Sequence, residues 1–327
     1  MGTIMVAGGA GYIGSHCLWL LRQRGYEAFA YDDLREGHGE AVLDADLVVG
    51  SLSDFDLVKR TLEERDVDAV FHFAASCYVG VSVDDPASYY DNNVATTLKL
   101  LDAMRAADVN TFIFSSTCAT YGNPVQEYMD ESHPQWPINP YGWTKFFVER
   151  VLSDYGNAYG LKYVALRYFN AAGAHPEGII GEHHDPETHL IPLVIHAGQG
   201  KRPDIKVFGD DYETPDGTCI RDYIHILDLA DAHLLGLEYL RGGGESAAFN
   251  LGNGAGYSVM EVVKMVEQVI GKPIPYETVA RRAGDPARLV GNSARAQEVL
   301  GWRQQYGDLE TIIKTAWRWH EAHPDGF

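Results

Sequence analysis

A doubly wound parallel α/β sheet is the fold class this sequence predicts, with a smaller α/β region towards its C-terminal end. Three observations predict it. Apolar runs of strand length alternate with amphipathic helical stretches through the first half of the chain, and repeated strand–helix units build parallel sheets clad by helices. The first such run passes at once through a glycine-rich turn into a helix, the order that opens these sheets. Beyond residue 170 the texture changes to longer loops rich in Gly, Pro and His. The expected division is 1–170 for a nucleotide-binding sheet domain that also carries the chemistry, and 171–327 for a mainly substrate-binding region, with some chain returning to the sheet.

At 327 residues and 46% hydrophobic composition, the chain can bury a large core. Its net charge of −20 is spread without long runs of like charge, which argues against nucleic acid and anionic membranes as partners. A phosphate ligand must then be caught by local donors. Cys17, Cys77, Cys118 and Cys219 are far apart with no CxxC, as reduced thiols are. No apolar run reaches membrane-spanning length, and the opening Met-Gly-Thr-Ile-Met-Val lacks the Ser or Thr of a myristoylation site. A soluble cytoplasmic protein is expected.

Residues 3–8 read as a buried strand, followed by Gly8-Gly9-Ala10-Gly11-Tyr12-Ile13-Gly14 and a helix with Ile13, Cys17, Leu20 and Leu21 on one face. Such a turn offers bare backbone N–H groups and a helix N-terminus to a pyrophosphate; a tight turn with close helix–strand packing would have the same spacing. The next strand, Ala28 to Tyr31, ends in Asp32-Asp33. An acid there suits the ribose hydroxyls of NAD and repels the extra phosphate of NADP. Val67 to Ala74 is strand-like, and Pro86 opens a long helix with Val94, Leu98 and Leu101 on one side. Thr111 to Ser116 is another buried strand leading into Thr117, and Tyr163 to Phe169 a further one.

Between those two strands stands Asn139-Pro140-Tyr141-Gly142-Trp143-Thr144-Lys145. Asn139 suits an N-cap and Pro140 the first helical position, so a helix begins here, with Tyr141 and Lys145 on one face. A phenol beside a fixed cation can act as general acid/base, because the charge favours the phenolate. Reaching neutrality from a pKa of about 10 takes roughly 3 units, or about 4 kcal/mol, so a second cation would help. The same pair also describes a packed ring with a snorkelling amine. Thr117 and Tyr141 lie just beyond carboxyl ends of strands, the edge that carries the glycines, and that context favours chemistry.

Later segments are less telling. His183-His184-Asp185 and His189 suggest a metal site, but their spacing fits no helix face or zinc pattern, so no metal is expected. Ser258 with Glu261 reads as a capping box opening a helix to about Ile270, which makes Gly252-Asn253-Gly254 a strand–helix turn rather than a second phosphate loop. Arg221 and Arg282 suit a diphosphate or surface ion pairs. The closing helix, from about Leu309 to Trp319, reads as structural.

Gly8 to Gly14, Ser115-Ser116-Thr117 and Tyr141-x-x-x-Lys145 resemble the extended short-chain dehydrogenase/reductases of Rossmann fold. Arg167 to Ala174, Thr214 to Thr218, Arg221 to His225 and Arg282 to Asp285 narrow the resemblance, over essentially the whole chain, to the UDP-glucose 4-epimerases, especially the bacterial forms attached to exopolysaccharide synthesis. The resemblance implies a reversible epimerisation of UDP-glucose and UDP-galactose through a 4-keto sugar, with hydride passing to bound NAD and back. Tyr141 would be the base, Lys145 would lower its pKa and hold the nicotinamide ribose, and Thr117 would bond the sugar oxygen. The cationic nicotinamide would be the second charge.

Matching family positions place Gly8, Gly11, Tyr12, Ile13, Gly14, Asp32, Asp33, Leu34, Ser51 and Leu52 against the cofactor. Phe73, Ala74, Ala75, Cys77, Asn92, Ser115, Tyr141, Lys145 and Phe169 join them. Thr117, Tyr141, Asn170, His189, Leu190, Lys206, Val207, Phe208, Arg221, Tyr223, Arg282, Asp285 and Leu289 would meet the nucleotide sugar. Four positions depart from the family pattern: Ser51 for an Asp at the adenine, Cys77 for a Lys near the pyrophosphate, Val81 for a Glu, and Leu289 at the position that gates sugar size. The first two predict that NAD leaves more readily than from relatives. A homodimer pairing the helix after Pro86 with that of Tyr141 is also implied. Three rival readings are UDP-pentose or UDP-N-acetylhexosamine epimerisation, a 4,6-dehydratase or decarboxylase, and a non-catalytic NAD sensor. Dehydratases place Asp-Glu directly after the catalytic Thr; Cys118 and Ala119 stand there instead, and sensors commonly lose the Tyr/Lys pair.

Overall fold

The computed structural model describes residues 2–282 and 285–327; Ala283 and Gly284 of the Arg282–Asp285 motif lie outside them. Strands β1 (Thr3–Ala7), β2 (Ala28–Asp32), β3 (Leu47–Val49), β4 (Val67–His72), β5 (Thr111–Thr117) and β6 (Lys162–Tyr168) come first. Four short strands follow, β7 (Asn170–Ala172), β8 (Ile205–Phe208), β9 (Ile220–Arg221) and β10 (Tyr223–His225), before β11 (Ala247–Leu251) returns to the main sheet. That sheet is parallel, in the order β11-β6-β5-β4-β1-β2-β3. The order reverses between β1 and β4, where doubly wound sheets open a crevice at their carboxyl ends.

Alternation along each strand explains the layers. Ile4, Val6, Phe71, Ile113 and Leu166 point to one face, where they pack with α1 (Tyr12–Gln23) and α8 (Ile226–Arg241). Met5, Phe29, Val70, Phe112 and Phe114 point to the other, under α2 (Phe55–Glu64), α5 (Thr96–Ala106) and α6 (Pro140–Tyr159). Each fully buried side chain of this kind contributes about 1.5–3 kcal/mol, so the two faces outweigh the exposed ion pairs at about 0–1 kcal/mol each. A third core joins α7 (Leu190–Gly198), α9 (Val259–Ile270) and α11 (Leu309–Ala322) beside the sheet. The predicted capping box is present, with Ser258 Oγ accepting from Glu261 N and Ser258 N donating to Glu261. Residues 252–254 lie in the connection between β11 and α9. The remaining elements are α3 (Val79–Asp84), α4 (Pro86–Tyr89), α10 (Ala294–Val299), β12 (Tyr257–Ser258), β13 (Tyr276–Val279) and β14 (Arg288–Leu289).

One predicted helix face is corrected. Between α4 and α5 the helix takes a π-helical turn over Tyr90–Ala95, which inserts an extra residue into the repeat. Asn93, Thr97, Leu100, Leu101 and Met104 become the buried line, and Val94 and Leu98 are left half-buried. Among the longer loops beyond residue 170, α8 still runs for 16 residues and belongs to the sheet's flank.

Candidate active site

The glycine turn is built by exclusion. Gly8 has a φ of +80°, and a Cβ there would stand 2.5 Å from Ala74 N; a Cβ on Gly14 would stand 2.0 Å from Gly8 O. Neither position admits a side chain, so the end of β1, the residues after β4 and the start of α1 lie backbone to backbone. Gly11 has more room and serves as the N-cap of α1. Phe73 N and Ala74 N both donate to Ala7 O, at 2.8 and 3.1 Å, closing the crevice floor. Tyr12 Oη donates to Gly173 O at 2.6 Å, and Ile13 packs on the core.

Asp32 Oδ2 accepts from Ala10 N and Oδ1 from Leu34 N, both at 2.9 Å, which ties the glycine turn to the end of β2. Burial raises the pKa of this carboxyl. Each of its oxygens keeps a further lone pair for a ribose hydroxyl. The bare turn, the helix N-terminus and this acid together fit NAD. Asp33 accepts from Arg35 Nε at 2.7 Å, and Arg35 Nη2 donates to Asn92 Oδ1 at 2.7 Å, so one unforeseen arginine links two predicted residues. Ser51 Oγ bonds Ser53 Oγ at 2.8 Å while its carbonyl accepts from Tyr31 Oη, and Leu52 is buried.

Asn139 Oδ1 accepts from Gly142 N at 2.8 Å and Pro140 occupies the first turn, so α6 begins where its sequence says. Tyr141 and Lys145 are both buried, as are Ser115 and Thr117 at the end of β5. Lys145 Nζ donates to Ser115 O at 2.8 Å, and Ser115 Oγ bonds Tyr168 Oη at 2.5 Å. Burial lowers the Lys145 pKa to about 8. Burial drives the Tyr141 phenol well above its ordinary 10, while the Thr117 hydroxyl pulls the other way. In the chain alone desolvation of the phenol dominates, and the Lys145 amine is engaged with the Ser115 carbonyl.

Two buried networks escaped the sequence reading. Arg167 makes a bidentate pair with Glu149 of α6, and Arg167 Nη1 donates to Tyr121 Oη at 3.0 Å. Ser116 Oγ donates to Glu149 Oε1 at 2.5 Å, so this pair locks α6 against β5 and β6 behind Tyr141. Asn93 accepts from Ser76 N at 2.9 Å and donates to Ser76 O at 3.0 Å and Thr144 Oγ1 at 3.1 Å. It thereby fixes the loop holding Ala75 and Cys77 against α6. Burial raises the Cys77 pKa, so this thiol is no ready thiolate.

The model of the NAD dependent epimerase/dehydratase family matches residues 4–252. This chain belongs to that family. A UDP-glucose 4-epimerase of Halalkalibacterium halodurans is 51% identical over 325 residues, covering 99% of this chain and 97% of the relative. The crystal structure of UDP-glucose 4-epimerase from Brucella ovis, in complex with NAD, has 52% identity and a TM-score of 0.95 over 97% and 98% of the two chains. That of the Stenotrophomonas maltophila enzyme, with bound NAD and formylated UDP-arabinopyranose, has 36% identity and a TM-score of 0.96 over 99% of each.

In this epimerase/dehydratase chain the loops beyond β6 complete the site. Phe169, Tyr121, Met129, Cys118 and Leu289 form one small apolar cluster beside Thr117. Asn170 Nδ2 donates to Asp222 O at 2.7 Å. Asp222, fully buried and raised by that burial to about 6, accepts from Asn253, Gly254 and Gly291 N–H groups and knots three loops together. Arg221 bonds Asp285 at 2.8 Å and the carbonyls of Ile220 and Pro286, and Arg282 lies 3.9 Å over the Phe208 ring. His189 and Leu190 open α7.

Of the other expected contacts, Val207 and Tyr223 are packed in the core beside the sheet, and Lys206 is paired with Asp204 and Glu277. His184 and His189, whose spacing argued against a metal site, are joined by Glu182 and Glu187, which the sequence reading did not single out: the four place one donor atom each within 4.8 Å of one another. They sit on a loop, where helix-face spacing has no meaning; the repeated Glu-x-His was the available signal.

Proposed function

We propose that this chain interconverts the C4 epimers of a UDP-sugar, with UDP-glucose and UDP-galactose as the primary pair, and holds NAD throughout. The observation that carries this reading is the buried group of Tyr141, Thr117 and Lys145 on the sheet edge that also bears the glycine turn, with Cys118 and Ala119 where dehydration needs two acids. NAD, when bound, supplies an acceptor for the C4 hydrogen and a cationic ring. Gly8, Gly11, Tyr12, Ile13, Gly14, Asp32 and Asp33 would hold it, with Phe73, Ala74, Ala75 and Asn92 around its middle.

Tyr141 takes the proton from the 4-hydroxyl and gives it back, with Thr117 orienting that oxygen. Because burial alone keeps the phenol protonated, the depression must come from the cofactor's charge together with Lys145. Arg221, Arg282, Phe208 and Asn170 hold the UDP part, so the flat 4-keto sugar is free to present its other face. Leu289 and its apolar neighbours border the sugar. The formylated UDP-arabinopyranose bound to the Stenotrophomonas relative favours a second reading, in which the same site also accepts UDP-pentoses.

The test incubates the protein, with NAD⁺ added, with UDP-galactose, UDP-N-acetylgalactosamine and UDP-arabinose, and separates C4 epimers by chromatography. Conversion of UDP-galactose is expected; no conversion of any of the three would end the proposal.

We also propose a homodimer built on α3, the π-helical turn and α6. Val79, Val81, Val83, Tyr90 and Phe147 are exposed apolar side chains of these segments, which a partner's copy would cover. We place the boundary between cofactor and substrate regions near residue 170, with α8 and β11 counted with the sheet.

A further inference from the structure

The loop between β7 and α7 carries a donor set of which only His189, at its end, is also an expected nucleotide-sugar contact. Glu182 and Glu187 are each only 6% exposed, His184 13% and His189 39%. His189 Nδ1 lies 2.9 Å from Glu182 Oε1 and 3.0 Å from Glu187 Oε1; His184 Nδ1 lies 3.4 Å and 3.5 Å from oxygens of the same two carboxylates. His184 Nδ1 is fully buried and has no hydrogen bond of acceptable geometry, although it is aimed between two carboxylates. An orphaned nitrogen facing two buried anions is an arrangement that a cation would complete.

The spacing discriminates further. Four donors bound tetrahedrally at about 2.1 Å stand roughly 3.4 Å from one another. Both His184 separations are near that value and the two made by His189 need to open by about half an ångström, with Glu187, which now offers Oε2 to His184 and Oε1 to His189, turning to present one oxygen to the ion. Two imidazoles select a transition ion over Mg²⁺ or Ca²⁺, and two carboxylates with no thiolate select against soft ions such as Cu⁺. Against the effect of burial, Glu182 and Glu187 raise His184 to about 9 and His189 to about 11, so the metal-free rings carry the balancing charge; a dication on the deprotonated imidazoles would take over that balance. The loop is also pressed onto the cofactor side: His184 meets the Tyr12 and Tyr78 rings edge-on, at 6.2 and 5.9 Å.

We propose that Glu182, His184, Glu187 and His189 together bind one divalent transition-metal ion of the Zn²⁺ class, which fastens the 181–189 loop beside Tyr12 at the start of α1. The ion has a bracing role and takes no part in the transfer at C4, so the proposal stands or falls apart from the epimerase reading.

The test strips the full-length, NAD-loaded protein with a chelator and dialyses it against ZnCl2. Mass spectrometry of the metal is expected to find one Zn²⁺ per chain. Co²⁺ in its place is expected to give the intense visible absorption of a four-coordinate ion, a readout that needs no variant. Glu187→Gln, which keeps the shape of the loop, and His184→Gln are each expected to weaken Zn²⁺ binding by at least about tenfold. His183→Gln, whose ring stacks on His38 outside the cluster, should bind as the parent does. A stripped protein that takes up no stoichiometric Zn²⁺, or Gln variants that bind as tightly as the parent, would overturn the site and leave only an ion-pair network.

Discussion

The two sides of the active-site cleft are held by different forces. On the cofactor side, backbone meets backbone: Gly8 against Ala74, Gly14 against Gly8, and Phe73 and Ala74 N–H groups on Ala7 O. On the side proposed for the nucleotide sugar, side chains from distant segments meet: Arg221 with Asp285, Arg282 over Phe208, Asp222 with the loops of Asn253 and Gly291. The first kind of site has its shape before any ligand arrives. The second depends on polar pairs that a ligand can replace one by one, which suits a sugar that must turn between two poses while its nucleotide stays put.

The sharpest break would come at the boundary between the two sides. Tyr141→Phe should fold, bind NAD and lose kcat by about 10³-fold or more, since one proton-transferring group is removed from an otherwise intact cradle. Retained turnover would remove Tyr141 as the base. Next comes Glu149→Gln, which leaves Arg167 buried and half-paired. It should cost about 3–5 kcal/mol in urea unfolding, whereas Asp285→Asn, opposite a partly solvated Arg221, should cost no more than about 1–2 kcal/mol. Equal losses would erase the distinction between the sides.

Acid should act mainly through the sheet. Burial lowers His16 and His233 to about 4 and His72 to about 3. Their folded values lie below the unfolded 6.5, so the unfolded chain binds the extra protons. Their contribution is complete above pH 6.5 and is lost as pH falls towards 4, at up to roughly 1.4 kcal/mol per pH unit for each group. The urea midpoint should drop between pH 7 and pH 5, and His233→Phe should flatten that slope; an unchanged slope would count against neutral burial. The smallest effect is expected of Lys206→Gln, which breaks an exposed, solvent-screened pair on β8 and should leave the urea midpoint essentially where it is.

What could be read from the chain was what depends on neighbours in sequence. The glycine turn, Asp32 after β2, the Asn139 cap with Pro140 and the Ser258–Glu261 box each involve residues close together, and each was legible. The Glu149–Arg167 pair joins a helix to the next strand and was not. Neither was Asn93, whose inward position depends on a π-helical turn that periodicity at 3.6 cannot show. Nor was the meeting of Glu182, His184, Glu187 and His189, because they sit on a loop where helix spacing says nothing. The need for a second cation beside Lys145 was legible; the weight of the phenol's desolvation was not.

That π-helical turn makes the segment after Pro86 behave as a register mark. One residue fewer in Tyr90–Ala95 would relax it to an ordinary α-helix and rotate everything upstream or downstream by about 100°. Asn93 would swing out of its pocket, and the Ser76 loop would lose the amide that pins it to α6. Single-residue deletions here should therefore be far more damaging than substitutions of the same exposed side chains. Chain length in this helix is a functional parameter, independent of composition.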